Sequence, residues 1–395
     1  MLAETLGRLY ARVPLGMRLG LDAMRGACAR ASSPERSLAI VHVGGTNGKG
    51  STSAMLESMA RAAGKKTGLY TSPHLARFAE RIRIDGEPIA DETLEEVLER
   101  ALAIGHDLSF FETATLAAFL AFRDASVDLA VIEVGIGGRL DATNVIPPES
   151  VRCSAVTRVA LDHQDRLGET LEEIAREKAS IAKHGVPFVL GRMPSSSVRQ
   201  AALDVARSAG ARPIVLDDRP PFVLPSSLSL GLAGGYQEGN AEIAWAIGAE
   251  LALPEEARAH GLAAARWPGR FERIVTEGPW LLDGAHNPDG IRALVSAIAA
   301  ARETIGAIVF GALADKAWRE MEAELDALDA PRFHAAPQGR PAAALAETRS
   351  LEDALAAARR EAGPSRTVLV CGSIYLVGEA RARLLGLPTD PPVTL

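Results

Sequence analysis

The sequence predicts an α/β chain of two domains, a larger N-terminal one built on a parallel-rich sheet and a smaller C-terminal one. Three observations carry this. Apolar runs of strand length recur at Leu38–Val43, Val127–Val134, Ile305–Phe310 and Thr367–Cys371, as buried parallel strands require. The first run enters a glycine-rich loop, Gly44-Gly-Thr-Asn-Gly-Lys-Gly-Ser51, and a helical pattern from Ser53 to Ala63 leaves it. Composition shifts at Gly278-Pro279, where a second series of strands and turns begins. These place the domains at 1–276 and 277–395, and 395 residues suit two or three domains.

The apolar fraction of 47% is ordinary for a globular chain. Net charge is −7 with both signs interspersed, which argues against a generic nucleic-acid or anionic-membrane surface. No apolar run approaches the ~18 residues of a membrane span. The start of the chain lacks a signal-peptide layout. Cys28, Cys153 and Cys371 are scattered, with no metal spacing and no disulfide framework. That suits a reducing cytoplasm.

Strand, glycine-rich turn, helix is the geometry of a phosphate-binding loop. Glycines let backbone N–H groups approach phosphate oxygens, and the helix N-terminus adds partial positive charge. Lys49 supplies a mobile charge for the β/γ-phosphates, and Ser51 a hydroxyl for Mg²⁺. Thr46, Asn47, Gly48, Gly50 and Thr52 complete the stretch. The spacing is a variant, G-x-x-G-K-G-S, with Gly50 between lysine and serine.

The elements follow in order. Residues 1–37 read as one or two short helices forming a packing arm. Thr67–Tyr70 reads as a short strand. Pro73 blocks helix continuation, so Ser72 and His74 fall on a loop at the strand's C-terminal end, where ligands sit in open α/β sheets. Asp85-Gly86 signals a hairpin between Arg81–Ile84 and Pro88-Ile89. Asp91–Gly105 is an amphipathic helix, and Ser109 opens another bearing Phe110 and Phe111. Those rings are either core or flank an aromatic ligand. Glu133 ends the apolar run Val127–Val134, and a buried carboxylate needs a partner or a metal. Glu133 is therefore either a Mg²⁺ ligand or a cap paired with Arg139 of the next turn, Gly135–Asn144. Cys153–Thr157 is a strand that exits to Asp162-His163, where the carboxylate could orient the imidazole. Thr170-Leu-Glu-Glu173 is a capping box that starts a helix to about Lys183. Lys178 lies on it, and its polar neighbours read as a solvated face. Pro187–Gly191 and Pro213–Leu216 are further strands with a helix between them. Prolines at 220–225 read as a rigid linker or a hairpin region, and Gly234–Ala241 opens a long helix. Trp280–Asp283 is a strand running into Gly284–Asp289, with Asn287 as N-cap and Pro288 in the first helical position. Asp283 and His286 are either local turn chemistry or ligand-edge groups.

Taken together, G-T-N-G-K-G-S-T, S-P-H-L, E-R-I-R-I-D-G, V-G-I-G-G-R-L-D-A-T-N, A-R-E-K-A-S-I, W-P-G-R-F-E, D-G-A-H-N-P and G-S-I-Y-L-V-G-E resemble motifs of one family. They resemble, in family order from about Gly20 to Glu379, the folylpolyglutamate synthase/dihydrofolate synthase family of the Mur-ligase superfamily. The resemblance implies an N-terminal P-loop ATP-binding and folate-binding domain and a C-terminal Rossmann-like, glutamate-binding ligase domain. It implies ATP as substrate, two Mg²⁺ sites and a monovalent cation such as K⁺. Ser51 and Glu133 would serve one Mg²⁺, and His163 with a carbamylated Lys178 the other. Asn240, Arg270 and Asp283 would meet the nucleotide. Gly20, Leu21, Asp22, Ser72, His74, Arg81, Phe111 and Asp141 would hold the folate, and His286 and Ser373 the glutamate. Lys49, His163, Lys178, Asp283 and His286 would carry the catalysis. The implied reaction joins L-glutamate to dihydropteroate, to reduced folates, or to both, through an acyl phosphate, in a cytoplasmic monomer. A peptidoglycan-type ligase and a regulatory P-loop ATPase are the rival readings. Three positions depart from the family pattern: Ser180, Tyr236 where a histidine is usual, and Ala317 where an aspartate is usual.

Overall fold

A computed structural model describes residues 1–13, 20–220, 222–223 and 229–391. The chain forms two compact units. One comprises Met1–Ser72, Phe78–Gly231 and Gly239–Arg266; the other comprises Pro73–Arg77, Leu232–Glu238 and Trp267–Leu395. The proline-rich linker expected at 220–225 lies partly outside the described residues.

The first unit is built on eight strands among the described residues: β1 (Ile40–Gly44), β2 (Thr67–Tyr70), β3 (Ile82–Ile84), β4 (Glu87–Pro88), β5 (Leu129–Glu133), β6 (Val151–Val156), β7 (Pro187–Leu190) and β8 (Arg212–Val215). Their order is β4-β3-β2-β5-β1-β6-β7-β8. β2, β5, β1, β6, β7 and β8 are parallel, and β3 pairs antiparallel with both β2 and β4. β1 lies between β5 and β6, so successive connections leave it in opposite directions. That is the topological switch point, and the loops after β1, β5 and β6 open on one sheet edge.

The helix after β1, Lys49–Ala62, is buried along most of its length. Helix Glu255–Ala264 crosses it so closely that a Cβ on Gly261 would lie 2.3 Å from Met59 Cα. Ser109 caps helix Phe110–Asp124 in a full capping box, as its sequence implies. Two expectations shift. Arg81 is not in a strand but closes the 3-10 turn Phe78–Arg81, its guanidinium 5.4 Å from the Phe78 ring centre and 5.3 Å from that of Phe110. The helix begun by the Thr170 capping box ends at Ala179 rather than near Lys183, and Lys183 instead donates to Asn144 Oδ1 at 2.8 Å.

The second unit holds β9 (Glu272–Val275), β10 (Pro279–Leu282), β11 (Ile305–Phe310), β12 (Arg332–His334) and β13 (Thr367–Cys371), in the order β12-β11-β13-β10-β9. Only β9 is antiparallel. Strand alternation divides the core in two. Leu281, Ile308, Phe310, Leu369 and Cys371 pack on one face with Ile291 and Leu294. Trp280, Leu282, Ala307, Val309, Val368 and Val370 pack on the other with Ala354 and Leu376. β9 and β12 are short polar edge strands that apolar-run reading passes over. Cys28, Cys153 and Cys371 are buried and free.

His42, in the centre of β1, is fully buried. Its Nε2 lies 2.8 Å from Thr143 Oγ1, and its Nδ1 has no hydrogen-bond partner. Burial, aided by the Lys183 charge, pushes the imidazole down to about 3 from 6.5. The folded state therefore keeps His42 neutral where the unfolded chain takes up a proton. The stability this secures is present above pH ~6.5 and is lost as pH falls toward ~3. Between pH 7 and pH 5 this group should cost about 2 kcal/mol, at ~1.4 kcal/mol per pH unit below the unfolded pKa. Urea unfolding of His42→Gln should show a correspondingly flatter acid limb. Equal pH dependence in both proteins would exclude His42 as the source.

Candidate functional site

The glycine-rich loop after β1 is held by its carbonyl groups. Lys178 Nζ donates to Gly45 O at 3.1 Å. Lys49 Nζ donates to Thr46 O at 3.1 Å, and Thr157 Oγ1 to Asn47 O at 2.7 Å. Gly48 O accepts from Thr52 N at 2.9 Å as the helix begins. Thr46 is bound on both sides, donating its N–H to Arg158 O at 2.6 Å and its hydroxyl to Ala160 O at 3.1 Å. Gly45 and Gly48 have φ of 141° and 88°. A Cβ at Gly45 would lie 1.9 Å from Thr157 Oγ1, and one at Gly48 would lie 2.1 Å from Asn240 Oδ1. Those two glycines are thus required by backbone angle and by close approach together. Asn240 is packed directly against the loop. Ser51 is buried in the first turn of the helix.

The exits of β5 and β6 supply the surrounding charges. Glu133 is buried, lies 4.0 Å from Lys49 Nζ, and accepts from Ser72 N at 3.1 Å. It is not paired with Arg139, which instead meets Glu177 at 3.2 Å. Arg139 stands on the glycine turn, and that turn is pressed onto the helix bearing Glu177: a Cβ at Gly138 would lie 2.5 Å from Glu177 O. Asp141 is buried and accepts from Ile136 N, Thr143 N and the Thr143 hydroxyl, at 3.0, 3.0 and 2.5 Å. Burial raises its pKa, against the pull of those bonds. His163 follows β6 with φ of 51°, its N–H donating to Asp162 Oδ1 at 2.9 Å. Its Nε2 is 3.9 Å from the same oxygen.

Lys178 overturns the solvated-face reading. It is 4% exposed, because its helix turns the side chain inward toward the loop. Burial, then the neighbouring Lys49 charge, pushes its ammonium down to about 7. Periodicity missed it because the helix Leu171–Ala179 is short and its buried face carries a lysine among apolar residues.

The residues assigned to folate by resemblance are spread over several elements. Arg81 is buried between Phe78 and Phe110, and half-buried Phe111 lies 6.1 Å from the Tyr70 ring. Ser72 is joined to Glu133 as described, whereas His74 falls in the segment Pro73–Arg77 of the second unit. Gly20 and Leu21 precede helix Asp22–Arg30, and the Asp22 side chain is 97% exposed, 3.3 Å from Arg25.

In the second unit, Asp283, His286, Arg270 and Ser373 stand on turns at one end of the sheet. Asn287 caps helix Pro288–Ala300 and Ser373 caps helix Ile374–Leu385, each accepting a backbone N–H. Gly372 N donates to Ala285 O at 3.0 Å, which joins the two helix entrances. His286 Nδ1 lies 2.9 Å from Gly284 O; the carbonyl can only accept, so Nδ1 carries a proton. Two adjacent helix N-termini form a setting for anionic groups. Ala317 starts helix Trp318–Leu325 without a side-chain cap, which an aspartate there could have supplied.

Among the described residues no three His, Cys, Asp or Glu side chains gather as a metal cluster. Mg²⁺ commonly takes one or two protein oxygens and completes its shell with phosphate and water. The Ser51 hydroxyl and Glu133 carboxylate are hard donors of that kind, so these residues fit the ion. Lys49 meanwhile supplies Glu133 with a counter-charge. No helix among the described residues is long and apolar enough to cross a membrane.

Comparison with known proteins agrees with this geometry. Residues 43–193 match the Mur ligase middle domain, and residues 269–374 match the Mur ligase, glutamate ligase domain. Folylpolyglutamate synthase of Lacticaseibacillus casei is 36% identical, over 90% of this chain and 92% of that protein. A bifunctional folylpolyglutamate synthase/dihydrofolate synthase with Mn, AMPPNP and L-glutamate bound superposes with a TM-score of 0.83. It is 33% identical, covering 94% of this chain and 95% of the other. E. coli FolC in complex with DHPP and ADP gives a TM-score of 0.81 at 29% identity, covering 97% of this chain and 98% of the other. Motif order, fold and full-length similarity agree, and the chain belongs to the folylpolyglutamate synthase/dihydrofolate synthase family of Mur ligases.

Proposed function

We propose that this chain is an ATP-dependent ligase that joins L-glutamate to dihydropteroate, to the glutamate tail of reduced folates, or to both. The observation that carries this is the loop Gly45–Gly48, whose carbonyls are held by neighbouring donors while its helix starts at Lys49. Support for the substrates comes from relatives solved with AMPPNP and L-glutamate, and with DHPP and ADP.

In the reaction, a carboxylate oxygen of the pteroate or folate attacks the γ-phosphorus of ATP. The bond to the β–γ bridging oxygen breaks and ADP leaves. The α-amine of glutamate then attacks the acyl carbon, phosphate leaves with the bonding pair, and the amine proton is lost. The loop amides and Lys49 hold the transferring phosphoryl group. Arg270 is assigned to the ATP phosphates. Asn240 and Asp283 hold the nucleotide. The helix entrances at His286 and Ser373 hold the glutamate. Gly20, Leu21, Asp22, Ser72, His74, Arg81, Phe111 and Asp141 hold the pterin end. Ser51 and Glu133 would bind one Mg²⁺, which when present neutralises charge on the phosphates. His163 and Lys178 would serve a second, and a monovalent cation such as K⁺ would be a further cofactor. We place the enzyme in the cytoplasm as a monomer.

Phosphate release should require dihydropteroate or tetrahydrofolate and L-glutamate together with ATP; a regulatory ATPase would hydrolyse ATP without them. Assaying the two pterin substrates side by side separates the two activities. Lys49→Ala should lower the complete reaction by at least ~10²-fold, the usual loss of a preorganised charge on the reacting group. A near-wild-type rate at saturating ATP would refute the role given to the loop.

For the amino-acid side, His286→Ala and Ser373→Ala should raise the glutamate KM at least ~10-fold, as losing a hydrogen bond to a charged group implies. The ATP KM should stay within about twofold of wild type, since uniform binding of the other substrate is untouched. Parallel increases in both constants would favour a structural role.

Lys178 is proposed to be N-carboxylated: its neutral amine adds CO₂, giving a carbamate and releasing a proton. Burial, which brings the amine down to about 7 and so raises its neutral fraction, favours this step, and the product is an anionic oxygen ligand suited to Mg²⁺. Lys178→Ala should lose most activity while still binding ATP, and added formate or acetate should restore part of it. Carbon-13-enriched CO₂ should give a carbamate resonance in the wild type alone. Full activity of the alanine variant in CO₂-depleted buffer contradicts the proposal.

A further inference from the structure

The turn Gly269–Phe271 carries Arg270 and is fastened at several points. Gly269 N donates to Glu272 Oε2 at 2.7 Å, and Glu272 is in turn held by Arg381 at 2.9 Å. Gly284 N donates to Gly269 O at 2.9 Å. Phe271 follows with φ of 48°, a left-handed conformation that a bulky residue adopts only when its surroundings enforce it. The enforcing group is Asp283, whose Oδ2 accepts from Phe271 N at 2.8 Å.

Asp283 is itself buried and orientated. Its Oδ1 accepts from Ala285 N at 2.9 Å, and its Oδ2 accepts a second bond from Tyr236 Oη at 2.5 Å. Tyr236 is therefore the only side chain among the described residues that hydrogen-bonds the Asp283 carboxylate; its other donors are backbone N–H groups. The ring also packs against this turn, since a Cβ at Gly234 would lie 3.1 Å from Tyr236 and 3.4 Å from Phe271. Arg270 runs past Gly284 so closely that a Cβ there would lie 2.3 Å from its guanidinium. It donates to Gly269 O at 2.9 Å and forms no salt bridge among the described residues. A cation without an acidic partner, on a strained turn fixed by a buried carboxylate, is arranged to meet an anion.

We propose that Tyr236 is a positioning residue for Arg270, acting through the Asp283 carboxylate and the Phe271 N–H. The phenol fixes the carboxylate rotamer, the carboxylate holds the left-handed turn, and the turn aims the guanidinium. This rests on the reading of Arg270 as a phosphate-binding group.

The test is a kinetic double-mutant cycle on the full chain with ATP, L-glutamate and a pterin substrate. Tyr236→Phe removes one oxygen atom and keeps the ring, so thermal unfolding should remain cooperative with a Tm close to wild type. It should lower kcat about tenfold, as expected for one hydrogen bond to a charged acceptor, and leave the glutamate KM unchanged. In the Arg270→Ala background the same substitution should change kcat by less than about twofold, because the group being aimed is gone. A further tenfold loss in that background would show that Tyr236 acts independently of Arg270 and would overturn the inference. A wild-type kcat for Tyr236→Phe beside an impaired Arg270→Ala would overturn it too, leaving the role of Arg270 intact. A wild-type rate for Arg270→Ala removes that role itself, and the inference falls with it.

Discussion

The tethering of the loop carbonyls is the interaction on which the phosphate-binding end of the first unit depends. A turn of Gly45 to Gly48 has both N–H and C=O groups to place, and only one set can face an anion. Lys178, Lys49, Thr157 and the first helical turn take the four carbonyls in succession. Lys49 and Thr52 belong to the helix that the loop opens, whereas the other two donors come from elements fixed by the sheet order: Thr157 follows β6, and Lys178 stands on the helix that packs beyond it. The position of β1 between β5 and β6 is thus more than a topological detail. It brings the donors that hold the loop to the one edge where the loop opens.

That arrangement concentrates charge in a poorly solvated place. Lys178 and Lys49 raise each other's cost, and Glu133 and Asp141 lie under the same burial. A fold selected for stability alone would replace such groups with apolar ones of similar size. Asp141 is kept by three hydrogen-bond donors, and Glu133 by a backbone N–H and a nearby ammonium. Among the described residues the Lys178 ammonium hydrogen-bonds only a neutral carbonyl, and burial, then the Lys49 charge, brings it down to about 7.

The second unit solves a similar problem with less charge. Strict alternation along β10, β11 and β13 fills both faces of the sheet with apolar side chains. Polar chemistry is left to the turns beyond the strand ends. There, one buried carboxylate gathers donors from three separate segments, and two helices begin side by side.

Much of this was legible in the sequence because it is local. Ser109, Thr170 and Asn287 announce helix starts through side chains that bond N–H groups two or three residues on. Strands with continuous apolar runs, such as Ile305–Phe310 and Thr367–Cys371, are found at the predicted bounds. The glycine loop was readable because only glycine tolerates the φ values at Gly45 and Gly48. What the sequence could not decide is which distant groups meet. It left Glu133 between a metal role and a bond to Arg139, and tertiary packing gave Arg139 to Glu177 instead. It read Lys178 as solvated, whereas packing of a short helix against the loop buries it. It registered Tyr236 only as an unusual residue, and the fold brings it to a carboxylate 47 positions away. Local bonds are written in neighbouring residues, but burial and long-range pairing exist only once the sheet has set which elements lie side by side.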